Sequence, residues 1–395
     1  MKKQYRCDGD PNWSGVFAMS LCVFALIASE FMPVSLLTPI AADLHVSDGM
    51  VGKGIAISGA FAVLTSLSIS RLAGDMNRKT LLLALTALMA VSGAVVALAP
   101  SYLIYMVGRA LIGLVIGGFW SMSAATAMRL VPPDQVPRAL AIFNGGNALA
   151  TVIAAPLGAW LGAILGWRGA FFCLVPVAAV ALVWQWISLP DMAAQKRAPG
   201  SSNVFKVLAS PPVALGMAAC GAFFMGQFAL FTYVRPFLET VTIVNVTTLS
   251  LILLAIGVAG VIGTALIGSV LKRSLYGTLI VIPVLMAVIA LTLIPFGARV
   301  AAVVALLALW GLMATSAPVG WWSWIADAMP RNAEAGGGLM VAVIQLAIAL
   351  GSTLGGLLFD STGYQGTFMA SAVVLLFAAF LAFLTSRSQA RASSR

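Results

Sequence analysis

The chain has 395 residues, of which 61% are hydrophobic and only 9% charged, with a mean hydropathy of +1.03. A soluble domain carries about 25% charged residues, so this composition excludes a water-soluble enzyme or binding module and predicts a polytopic membrane protein. The formal charge of +10 does not point to nucleic acid, because the basic residues are scattered through short connections rather than gathered on one face.

A bilayer crossing needs about 20 apolar residues. On that criterion the sequence predicts an all-α fold of twelve spans, near 14–38, 50–70, 80–99, 102–126, 138–162, 168–188, 213–237, 247–270, 277–296, 299–323, 335–358 and 366–386. The first span follows a polar head, Met1 to Arg6, and is too long for the core of a signal peptide, so it reads as retained in the membrane. It contains Glu30, a carboxylate inside an otherwise apolar run. Ionised at bilayer depth it costs at least about 3 kcal/mol, so it is expected to face the protein interior or a water-filled cavity and to take up a proton. Structural hydrogen bonding to a neighbouring helix is the competing role.

Span 4 carries Arg109, whose guanidinium must pair with a carboxylate, serve backbone carbonyls or reach water. The same span ends in Phe119 and Trp120, and its Gly113, Gly117 and Gly118 form a face for close helix packing. In span 5, Asn144 and Asn147 are three residues apart and share a face. Pro156 there removes a backbone donor and permits a bend at a moving gate. The longest connection, residues 191–212, divides the chain into two units, 1–190 and 213–395, expected as two six-helix bundles.

Span 7 holds Gln227, Tyr233 and Arg235, the last with Glu239 as a nearby partner, and span 11 holds Gln345 beside the small-residue face of Gly351, Gly355 and Gly356. Asn144, Asn147, Gln227, Tyr233 and Gln345 are the candidate substrate contacts, since amides offer donor and acceptor together, which suits a nucleobase edge or several hydroxyls. Phe119, Trp120, Trp321, Trp322 and Trp324 are able to stack on a flat ring, although tryptophan at a span end is also an interface anchor.

Placing both termini in the cytoplasm puts 17 of the 22 basic residues on that side, as the positive-inside rule requires. The two halves also resemble each other. Gly118-Phe119-Trp120-Ser121 recurs as Gly320-Trp321-Trp322-Ser323, and Glu30-Phe31-Met32-Pro33 matches Tyr233-Val234-Arg235-Pro236 at nearly the same offset. Parallel repeats of this kind are one solution for alternating-access transporters.

The sole histidine, His45, has no partner set, and Cys7, Cys22, Cys173 and Cys220 lack metal-ligand spacing. No enzyme chemistry, metal or cofactor is therefore expected. The intramembrane charges are too few to line a channel. A solute carrier needs a central cavity, a few polar contacts and a way to close either end, which this inventory supplies.

These residues resemble the major facilitator superfamily, in its twelve-span drug:proton antiporter branch. Asp75-Met76-Asn77-Arg78-Lys79 is similar to that family's loop after span 2, which implies that Asp75, Arg78 and Lys79 latch a cytoplasmic gate. Arg109 with Gly113 resembles the span 4 motif tied to proton transfer, and Ala155-Pro156-Leu157-Gly158 resembles the span 5 antiporter motif. Within the family, Glu30 to Pro39, Gly117 to Ala124, Met128 to Pro133 and Pro318 to Trp321 are similar to bacterial purine ribonucleoside exporters. That resemblance implies a monomeric inner-membrane antiporter whose partners are the bilayer, the proton and purine nucleosides such as inosine and guanosine. Sugar or multidrug efflux within the same superfamily is the alternative.

Overall fold

The computed structural model describes residues 11–74, 76–122, 126, 129–132, 135–192, 210–329 and 333–393, with side chains at all of these except 70–72, 137, 140–141, 144, 326, 333–338 and 390–393. Among them the chain is helical. The elements in order are α1 (Trp13–Leu44), α2 (Asp48–Leu72), α3 (Arg78–Ala97), α4 (Tyr102–Trp120), α5 (Val136–Phe172), α6 (Leu174–Ser188), α7 (Pro211–Phe231), α8 (Val234–Thr240), α9 (Val246–Arg273), α10 (Leu275–Phe296), α11 (Val300–Ala328) and α12 (Ala333–Ser393). Polar residues just before the apolar runs start several of these helices. Asn12, Ser47, Asn245 and Ser274 each accept a backbone N–H from the first turn of α1, α2, α9 and α10, respectively.

The expectation of twelve spans in two six-helix bundles is corrected by this structure. Ten helical stretches among the described residues are long and apolar enough to cross a membrane. The difference arises at two places where the sequence suggested breaks between spans. No loop interrupts the helical run there, and one stretch covers Gly145–Ser188 and another Leu339–Gln389. In each, a single glycine leaves helical geometry, Gly166 at φ 72° and Gly363 at φ 74°. Both combine positive φ with extended ψ, a region open essentially only to glycine. Nor does the apolar core divide into one cluster per half. The largest cluster joins Val34, Ile55, Ala155 and Ala159 to residues of α7 through α12, and Tyr233 belongs to a cluster whose other buried members all come from the first half.

The glycine faces anticipated from the sequence do set the close helix contacts. A Cβ on Gly113 or Gly117 would lie 2.3 or 2.2 Å from backbone oxygens of α2, and one on Gly351 or Gly355 would lie 2.3 Å from backbone oxygens of α7. Outward-facing Leu103, Trp160, Ile164, Trp186, Leu251 and Phe380 are exposed, as an apolar surface solvated by lipid requires.

Candidate functional site

Glu30 lies in the middle of α1 with only 7% of its surface exposed. Its Oε1 accepts a hydrogen bond from Nε2 of Gln345 on α12, at 3.4 Å across 315 residues of sequence. The next residue, Phe31, stacks against Phe228 of α7, with ring centroids 6.1 Å apart. Gln227, next to Phe228, is buried, and its Oε1 has no hydrogen-bond partner among the described residues. The two halves of the sequence therefore meet at a patch built from one carboxyl, one amide and two aromatic rings, with Gln227 next to it in sequence.

Arg109 is 1% exposed and binds by all three of its nitrogens. Nη1 donates to the Ser29 carbonyl at 2.8 Å, Nε to the Gly54 carbonyl at 3.2 Å and Nη2 to Ser58 Oγ at 3.2 Å. Of the roles left open by the sequence, the geometry is that of a clamp on helix backbone, tying α4 to α1 and α2. Its charge sits beside the peptide that precedes Glu30, without a direct ion pair to it.

The other sequence candidates are spread out. Tyr233 is fully buried, donates to the Ser352 carbonyl at 2.8 Å and stacks on Phe359 at 5.3 Å. Phe119 is fully buried in the first-half core, and Trp120 packs edge-on against Phe143. Trp321 packs edge-on against Trp324, far along α11. Asn147 is half-buried, its backbone carbonyl accepting from Thr151 Oγ1, whereas Asn144 belongs to α5 with its side chain outside the described residues. Pro156 sits inside α5 beside Ala155, which packs into the second-half core. Of the loop motif, Asp75 lies outside the described residues. Arg78 and Lys79 open α3, where Asn77 caps the helix through the Lys79 N–H and also takes the Met192 N–H, while its Nδ2 donates to Asp191 at 3.1 Å.

At the opposite end of the bundle, sequence reasoning anticipated the pairing of Arg235 with Glu239 and missed the reach of Asp360 to α2 and of Arg235 to α1. Asp360 of α12 accepts from Ser47 Oγ at 2.6 Å and from the Gly49 N–H at 3.1 Å, so it caps α2 from across the chain. Arg235 donates to the Ser35 carbonyl and pairs with Glu239 at 2.8 Å. Tyr233 presses its hydroxyl against Gly52, where a Cβ would lie 1.9 Å away. The one signal available was the run of acids at span ends, Asp48, Glu239 and Asp360.

Helices long enough to span a bilayer, meeting around a buried carboxyl, define a multi-pass membrane protein of the transporter type. The chain belongs to the Major Facilitator Superfamily, whose model matches residues 19–342. It is a transporter of small solutes and not an enzyme. It is 70% identical over 384 residues to a Pseudomonas aeruginosa protein named transcription regulatory protein OpdE, covering 96% of each chain. It is 40% identical over 383 residues to the purine ribonucleoside efflux pump NepI of Salmonella enteritidis, again covering 96% of each. Its fold is similar to the solved structure of a bacterial homologue of the human lysosomal transporter Spinster, with a TM-score of 0.76 at 16% identity and 98% of each chain covered. The human organic anion transporter MFSD10 is similar at a TM-score of 0.68 and 18% identity, covering 95% of this chain and all of that one.

Proposed function

We propose that this chain exports purine ribonucleosides such as inosine and guanosine in exchange for protons, with Glu30 as the proton carrier. The observation that carries the reading is the hydrogen bond between Glu30 and Gln345, which puts a buried carboxyl on the seam between the two halves. Protonated, Glu30 is neutral and the seam stays dry. Ionised, it costs several kcal/mol in a dry site, so loss of the proton favours an arrangement in which the seam opens to water and cargo. The substrate class rests on the likeness to NepI along the whole chain. Phe31 and Phe228 supply flat faces for a purine, and the amides of Gln227 and Gln345 supply edge contacts. In this reading residues 1–190 and 213–395 move relative to each other about the link 191–212, of which 193–209 lie outside the described residues. The termini face the cytoplasm of a bacterial inner membrane.

The test is uptake of labelled inosine into inverted membrane vesicles made acidic inside. Saturable, gradient-driven accumulation is expected. Accumulation of a sugar or a cationic drug, with no inosine flux, would overturn the substrate class.

Gln227 gives a second test. Leaving its buried Oε1 unpaired costs about 1–3 kcal/mol, so Gln227→Leu is expected to raise the thermal midpoint while increasing the KM for inosine. A fall in thermal midpoint, or an unchanged KM, would show that the amide serves the fold instead.

The name of the OpdE relative favours a second reading, an effect on transcription. A chain with ten membrane-length helices would exert it through the solute it moves. Glu30→Gln would then remove the transcriptional effect together with transport, whereas regulation by contact would survive that substitution.

A further inference from the structure

A cavity of about 520 Å³ lies away from the Glu30 site, between α7 and the two arms of α12. Its walls are Met217, Gly221 and Met225 on one side and Val343, Leu350 and Phe377 on the other. Leu346, Leu350, Val373, Phe377 and Phe380 around it are exposed, so the groove opens onto the lipid-facing surface. Nothing polar in these walls would hold water, and an empty groove would forfeit dispersion contacts along its length. Its occupant must be apolar over the same length.

The dimensions say what kind of molecule fits. From Ala214 to Met225 the groove follows α7 for about 17 Å, close to the ~15 Å depth of one leaflet's hydrocarbon. Beyond Ala214, a second cavity of about 270 Å³ lies between the neighbouring Leu215 of α7 and Leu384, Arg387 and Ser388 of α12. Arg387 stands over the Phe383 ring at 5.3 Å and is exposed. Among the described residues, it is in no ion pair. The α7 end of this apolar slot, at Ala214, adjoins Leu215, which shares the second cavity with Arg387, and an apolar slot one leaflet deep with a guanidinium beyond that end complements an acyl chain joined to an anionic headgroup.

We propose that this groove is a binding site for one anionic phospholipid, with an acyl chain between α7 and α12 and the headgroup phosphate on Arg387. The site is independent of the transported solute. It is tested by reconstituting the full chain in phosphatidylcholine nanodiscs containing a minority of phosphatidylglycerol, then counting retained lipids by native mass spectrometry. The wild-type chain is expected to keep one phosphatidylglycerol in preference to phosphatidylcholine. Arg387→Gln, a surface change that leaves the helices intact, is expected to lower that preference about fivefold. Gly221→Leu projects a side chain into the groove, where a Cβ already lies 3.2 Å from Val343, and is expected to abolish retention of either lipid. Ala218→Leu fills the same groove from the neighbouring turn and provides a second variant should the first fold poorly. Excess inorganic phosphate is expected to leave retention unchanged. Equal preference in Arg387→Gln and wild type, retention that survives both groove-filling variants, or displacement by inorganic phosphate would each overturn the proposal.

Discussion

Glu30→Gln is expected to leave a folded, membrane-inserted protein whose proton-driven nucleoside uptake falls by about a hundredfold or more. Glutamine has nearly the same shape as the protonated side chain and can keep the 3.4 Å contact with Gln345, so packing at the seam is preserved. It also carries no charge to bury, so the thermal midpoint should hold or rise. What it lacks is a site for the proton. Exchange of labelled for unlabelled inosine needs no net proton movement and should continue in the variant. In the wild-type chain, export should quicken as the outer side is acidified, because protonation from that side returns the carrier; in the variant the rate should be flat with pH. A normal pH dependence and rate in Glu30→Gln would remove Glu30 from the mechanism.

The spans were legible because the bilayer imposes a length and a composition that few other environments do. Connections with caps, such as Ser47 before α2 and Ser274 before α10, also carry their own sequence marks. The count failed where the chain changes direction without leaving the helical run. A lone glycine such as Gly166 or Gly363 looks in sequence like any of the 38 glycines, and only its backbone angles set it apart. The two-bundle picture failed for a related reason: internal similarity reports which segments are alike, not which side chains share a core. Ala155 and Tyr233 pack with residues of the other half, which no repeat offset encodes.

The candidate site shows the same division. Glu30 was legible because a carboxylate in an apolar run is costly wherever it points, and Gln345 emerged from the same inventory of polar residues inside spans. Their meeting across 315 residues was not legible from either alone. Tyr233 was legible by type and position as a candidate cargo contact; its bond to the Ser352 carbonyl and its fit against Gly52 and Gly356 were not legible. Asp360 went unnoticed because it stands at a span end, where an acid is cheap. Its importance lies in reaching the first turn of α2.

Arg109 yields the second large effect. Its planar fork reaches three acceptors on two helices, Ser29 on α1 and Gly54 and Ser58 on α2. Arg109→Gln cannot serve all three, and each buried group left unpaired costs about 1–3 kcal/mol, so little folded protein should be recovered from membranes. Arg109→Lys keeps the charge but replaces the fork by a single point, and is expected to fold with a lowered thermal midpoint and to transport about tenfold more slowly. The decisive measurement is the combination with Glu30→Gln. If Arg109 were held in place as the counter-charge of Glu30, removing the carboxylate would relieve the loss caused by Arg109→Lys. A backbone clamp makes the opposite demand: the carbonyl of Ser29, which has Pro33 instead of an N–H donor four residues on, loses its partner whatever residue 30 carries. The effects of the two substitutions on stability should therefore simply add, within about 0.5 kcal/mol. A clear rescue would return Arg109 to the role of ion-pair partner.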